Sequence, residues 1–147
     1  MSRGPLSSRS SRKQAEAAAF EQLDYLYTPS RDVAADMRFF IDVLGGHLGF
    51  AVEGMGARVA MVLLASGPPH LLLADHLDGD RPILVYRVAD LRKATAELKR
   101  RGLKKQHTVE LPMGAASSFV TTGGHRIALY ELSRPNVLEH FMGRQDF

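Results

Sequence analysis

The side chains of this chain that could do chemistry are six histidines, four tyrosines and a scatter of carboxylates and arginines, with no cysteine. Without cysteine there is no disulfide, zinc ribbon, iron–sulfur cluster or thiol nucleophile. The histidines are His47, His70, His76, His107, His125 and His140. His70 and His76 share a strand face, but six residues at roughly 3.3 Å each put them about 20 Å apart, too far to share one ion. The other four fall beside loops or element ends. All read as solvated or edge histidines, so the expectation is no metal and no cofactor. Ser117, Ser118 and His125 do not argue a Ser–His–Asp triad, because a triad is defined by geometry. Gly123-Gly124 reads as a hairpin turn and not a phosphate loop, since no helix follows it. The cations Lys93, Lys99, Arg100, Arg101, Lys104 and Lys105 lack the interleaved aromatics of a single-stranded nucleic-acid site. They read as a solvated helix face and loop, and no nucleic-acid partner is expected.

A second set of residues carries a different chemistry. Tyr25, Tyr27, Leu72, Ile83, Val85, Ala128 and Tyr130 fall on strand positions of one parity, and His70, Arg87 and Arg126 share it. A concave, mostly apolar pocket with a few placed polar groups is what a small-molecule site needs. Tyrosine supplies a flat stacking surface and an orienting hydroxyl. The same tyrosines would serve equally well as core filling. Arg87 and Arg126 suit rim salt bridges as well as a ligand contact. Asp24 has the opposite parity and is assigned to the far side of the sheet.

The elements that must position these residues can be read from the hydrophobic pattern. Leu23–Thr28 is an aromatic-rich strand broken by Pro29-Ser30. Val33, Met37, Phe40, Ile41 and Leu44 form one apolar helix face, with Ser30 or Asp32 as cap and Gly45 at the C-terminal stop. Strands are expected at about Gly46–Glu53, Arg58–Ser66 and His70–His76. The pattern then repeats. Pro82–Val88 is a strand, and Asp90 caps a helix carrying Leu91, Ala94, Thr95 and Leu98 that Gly102 ends. Strands follow at about Lys104–Glu110, Ala115–Thr122 and His125–Leu132. Pro135 opens a C-terminal helix, at about 135–142, with Leu138 and Phe141 as docking residues. The spacing from Asp32 to Asp90 matches that from Asp75 to Glu131 to within two residues, which argues a duplication. The fold class expected is α+β, with two pseudo-symmetric βαβββ units forming a curved mixed sheet around an inner cup.

Composition agrees with one folded domain. The chain has 147 residues, 45% hydrophobic and 24% charged, enough to bury a core. Its longest apolar runs are far short of the roughly 20 residues that cross a bilayer. The formal charge is +3. Arg3, Arg9, Arg12 and Lys13 contribute +4 of it, which leaves −1 for the rest. A basic nucleic-acid-binding face on the domain therefore has little support. Residues 1–19 are expected to be a flexible basic tail, and 20–147 a single domain with units at about 21–76 and 81–132. The tail has the Arg/Ser-rich, acid-poor look of a transit peptide, but a solvated tail of a cytoplasmic protein is the reading adopted.

The order of these motifs resembles the vicinal oxygen chelate superfamily, the fold of glyoxalases, bleomycin-resistance proteins and extradiol dioxygenases. Leu23-Asp24-Tyr25 before Asp32-Val33, with Phe39-Phe40 and Val43-Leu44-Gly45, is similar to the family's first strand and helix. Tyr86-Arg87-Val88-Ala89-Asp90-Leu91 resembles the entry to its second helix, and Gly123 to Glu131 its last hairpin and strand. The resemblance spans Leu23 to Leu132. It implies a divalent metal on the inner sheet face, held by His or Glu on four strands. Those positions fall here on Tyr25, Leu72, Ile83 and Ala128. Three have no ligand atom, and neutral tyrosine, with a pKa near 10, is a poor one. The expectation is a metal-free small-molecule-binding protein that sequesters an aromatic or amphipathic compound in its cup. The site residues would be Tyr25, Tyr27, Leu72, Ile83, Val85, Arg87, Arg126, Ala128 and Tyr130. The alternative is a lyase or isomerase with a displaced metal or a metal-independent site. The resemblance also implies a homodimer.

Overall fold

The computed structural model describes residues 20–111 and 113–147; residues 1–19, and with them the tail expectation, lie outside the described residues. The chain runs through the same order of elements twice. The first pass is β1 (Phe20–Pro29), α1 (Val33–Arg38), β2 (His47–Gly54), β3 (Ala57–Leu63) and β4 (His70–Ala74). The second is β5 (Ile83–Val88), α2 (Leu91–Arg100), β6 (His107–Leu111), β7 (Gly114–Val120) and β8 (Arg126–Tyr130). A last helix, α3, spans Pro135–Phe141.

All eight strands join one sheet in the order β2-β3-β4-β1-β5-β8-β7-β6. Its two end strands do not pair with each other, so the sheet is open. The first and last strands of each pass pair in parallel, β1 with β4 and β5 with β8. The remaining pairs are antiparallel, including the β1–β5 seam that joins the two halves. The seam puts β4, β1, β5 and β8 side by side at the centre, so their inner faces form the floor of a shared concavity.

Caps and stops follow local chemistry. Asp32 accepts from the Ala35 N–H at 3.0 Å, and Asp90 from the Lys93 N–H at 3.0 Å, each meeting a donor the first helical turn leaves open. Gly45 and Gly102, at φ +78 and +110, take the left-handed conformation that ends each helical segment. The first helix departs from its expected face. Phe39–Val43 is a π-helical turn, and Leu44 N–H bonds to Phe39 O across five residues. The wider turn rotates the stripe, so Leu44 is 52% exposed while Val33 and Met37 stay buried.

Three apolar clusters result. Val33 and Met37 pack with Ala51, Ala60, Val62 and Leu73 on the outer face of the first half. Val88, Ala94, Phe119 and Leu129 do the same for α2 on the second. Each large side chain so buried contributes about 1.5–3 kcal/mol. The third cluster lies on the inner face and draws on both halves, joining Tyr25, Phe50, Met61, Leu72, Val85, Met113, Ala116, Ala128 and Tyr130. No helix among the described residues is long and apolar enough to cross a membrane.

Candidate functional site

The inner face holds the residues expected there. Register sets Val85 opposite Tyr25 and Ala128 beside Val85, and it sets Ile83 opposite Tyr27 with Leu72 on Tyr27's other side. Within this face lies a cavity of about 130 Å³. Its floor is Tyr25, Tyr27, Leu72 and Val85; one wall is Phe50, Val52 and Val59. Leu111 and Met113 close the opposite side, and Leu138 and Phe141 of α3 form the roof. Phe141 packs in a tilted arrangement against Phe50, with ring centroids 5.7 Å apart. Of the expected site residues, Tyr25, Tyr27, Leu72 and Val85 line the cavity. Ile83, Ala128 and Tyr130 belong to the same apolar cluster but do not line it.

The two arginines do other work. Arg126 donates from Nη1 to the carbonyls of Asp78, at 2.7 Å, and Arg81, at 3.0 Å, and so pins the loop between the halves. Arg87 lies 3.7 Å from Glu21 and 3.9 Å from Asp24. Neither arginine reaches the cavity lining.

Asp24 is placed differently from its expected position. Two β-bulges interrupt the β1–β5 ladder, one between Phe20 and Gln22 and one between Leu23 and Tyr25. The second bulge makes Asp24 an extra residue with no partner on β5, which breaks the alternation and turns its carboxylate to the Tyr25 side. Asp24 is 6% exposed and accepts from the Tyr130 hydroxyl and from Gln22 Nε2, the latter at 2.5 Å. A buried carboxylate must be met by donors or a countercharge, and here β1, β5 and β8 each supply one. Alternation by itself points the residue outward, and no local signal marks the bulge.

This cluster sets the state of the tyrosines. Burial, and then the charge of Asp24, raise the Tyr25 phenol above its usual value, against smaller opposing effects of Tyr130 and Arg87. Burial alone raises Tyr27. Tyr130 is raised furthest, by burial first and then by the hydrogen bond it gives Asp24. All three remain neutral phenols near pH 7, able to donate a hydrogen bond but not to act as bases.

The roof is strapped across the cup. The Arg134 N–H bonds to Met113 O at 2.9 Å, at the β6–β7 lip. Beyond α3 the chain crosses to the other lip and pairs with the outer edge of β2. Gly143 N–H donates to Gly49 O at 2.7 Å, Ala51 N–H to Arg144 O at 2.8 Å, and Asp146 N–H to Ala51 O at 2.7 Å. The Asp146 carboxylate accepts from Glu53 N–H at 2.9 Å and from Arg144 at 3.0 Å. These bonds occupy an otherwise open sheet edge. The expectation of α3 as a docked terminal helix misses this role, because roof and strap are long-range closures with no local pattern.

The residues present do not fit a divalent metal. The positions at the centre of the inner face are Tyr25, Leu72, Ile83 and Ala128, with no imidazole or carboxylate among them. His70 faces inward beside Tyr25, with a buried, unpartnered Nδ1. Asp24 is committed to Tyr130 and Gln22. Among the described residues no group of three or more histidines and carboxylates could hold an ion.

This open, curved eight-stranded sheet of two βαβββ halves is the vicinal oxygen chelate fold. No protein-family profile matches the chain, and no curated protein does. Among solved structures, it is similar to methylmalonyl-CoA epimerase from Mycobacterium tuberculosis, at 19% identity and a TM-score of 0.68 over 81% of this chain and 93% of that one. It is also similar to a variant of Streptomyces coelicolor methylmalonyl-CoA epimerase in complex with 2-nitronate-propionyl-CoA, at 16% identity and a TM-score of 0.63 over 78% and 99%. A hypothetical protein from Bacillus halodurans gives 13% identity and a TM-score of 0.60 over 75% and 93%. At these identities the likeness is one of fold.

Proposed function

We propose that this protein binds a small organic molecule in its cup without a metal. The observation that carries the reading is the roofed apolar cavity of about 130 Å³ on the face where the fold would hold its metal, with no histidine or carboxylate among its described lining residues. Tyr25, Tyr27, Phe50 and Phe141 offer four aromatic rings to a guest. Arg87 and Arg126 are engaged elsewhere and take no part in first contact.

The metal-independent enzyme is the weaker reading. Its best acid–base pair would be Asp24 and Tyr130, and neither lines the cavity. The homodimer belongs to the proposal as well. Phe39, Val43, Leu44 and Leu64, each at least 52% exposed, are the apolar surface that supports it, and sedimentation of the purified chain tests it.

The test of binding is a thermal-shift screen of small aromatic and aliphatic compounds, run with and without divalent cations. The chain has no tryptophan, so quenching of tyrosine emission gives an independent titration. Saturable binding that ignores chelator supports the proposal. Binding that appears only with a divalent cation overturns it.

A further inference from the structure

Resting on that binding reading, we infer that the part of the ligand received by the cup is uncharged, free of hydrogen-bonding groups and about the size of a single six-membered ring. Size is the first argument. An engineered apolar cavity of about 150 Å³ in another protein stays dry and takes benzene, whereas drug-sized sites run to roughly 300–1,000 Å³. At about 130 Å³ this cup belongs with the former.

The direction of the polar atoms is the second. Among the described lining residues the only side-chain oxygens are the hydroxyls of Tyr25 and Tyr27. Tyr27 is hydrogen-bonded to His76 Nε2 at 3.2 Å, at the exposed rim. Tyr130 gives its single proton to Asp24, which leaves its oxygen able only to accept, and Tyr25 is the phenol beside it, ring centroids 6.2 Å apart. The Tyr27 hydroxyl is therefore taken up by His76 and the Tyr25 hydroxyl by Tyr130, and the cavity meets little but their rings. The expectation that tyrosine hydroxyls orient the guest gives way here to recognition by shape and dispersion. A guest hydroxyl in the cavity would go unpaired and weaken binding ten-fold or more, and a guest charge would weaken it further. The carbon wall thus selects by penalty, against polar isosteres of the right size.

Fluorine NMR of fluorobenzene, with thermal shifts for the other guests, tests this. Toluene and fluorobenzene bind the full chain saturably. Phenol binds ten-fold or more weakly, and benzoate, benzylamine and tetramethylammonium do not compete at equal concentration. Val59→Phe, which fills the cavity from one wall, abolishes binding in a protein whose circular dichroism is unchanged. Phenol within three-fold of toluene, or preferential binding of any charged guest, overturns the inference while leaving the binding reading intact. Silence from every guest, charged and uncharged, overturns both.

Discussion

Shortening Leu72 to alanine tests the cup by enlarging it. Leu72 is 7% exposed, lies between Tyr27 of β1 and Met61 of β3, and forms part of the cavity floor. Leu72→Ala removes three carbons, worth about 2.5 kcal/mol of transfer free energy at about 0.8 kcal/mol each. Because the side chain already borders empty space, the freed volume joins the cavity rather than closing up. At about 24 cal/mol per Å³ of residual void, the total loss reaches about 3–5 kcal/mol. For a chain of this size that lowers Tm by roughly 10–20 °C. The enlarged cup should then take a second ring. Indane is expected to raise the Tm of Leu72→Ala and leave the parent unmoved, while toluene raises both. Urea melts give the stability loss, and thermal shifts give the guest selectivity. A loss under about 1 kcal/mol would mean Leu72 is not packed as described. An equal response to indane in both proteins would mean Leu72 does not bound the cavity.

Two further outcomes follow from the polar cluster. Tyr130→Phe removes a hydrogen bond to a buried carboxylate and is expected to cost about 1.5–3 kcal/mol in a urea melt; no measurable change would show that Asp24 does not depend on it. The raised phenols of Tyr25, Tyr27 and Tyr130 predict a loss of stability in alkali. Below about pH 10 both folded and unfolded chains keep these protons, but above it the unfolded chain gives them up first, so stability falls as pH rises. Phenolate absorbance from these three should arrive with the loss of circular dichroism, and an earlier titration of all four tyrosines in the folded chain would contradict it.

Much of the fold is legible in the pattern of the chain, and for a physical reason. Alternation along β1, β4, β5 and β8 survives folding wherever the ladder is regular, so Tyr25, Tyr27, Leu72, Ile83, Val85, Ala128 and Tyr130 do share one face. Where the ladder is irregular the rule fails. The bulge at Asp24 reverses that residue's direction, and the π-helical turn at Phe39–Val43 swings Leu44 into solvent. The cavity is only half legible. Its floor belongs to four central strands, but Phe50, Val52, Val59, Leu111 and Met113 arrive by sheet curvature, and Leu138 and Phe141 by the strap. The direction of a tyrosine hydroxyl is a matter of rotamer and neighbours, which strand parity does not carry.

The cup is proposed to hold an organic guest and no metal. Native mass spectrometry of the untagged protein, isolated without added metal and again after incubation with nickel, manganese or zinc, tests it most directly. Chains that are bare or carry an organic mass, with no stoichiometric metal in either sample, are the expected result. One chelator-removable ion per chain would contradict it and would move the site to histidines and carboxylates that do not converge in this structure.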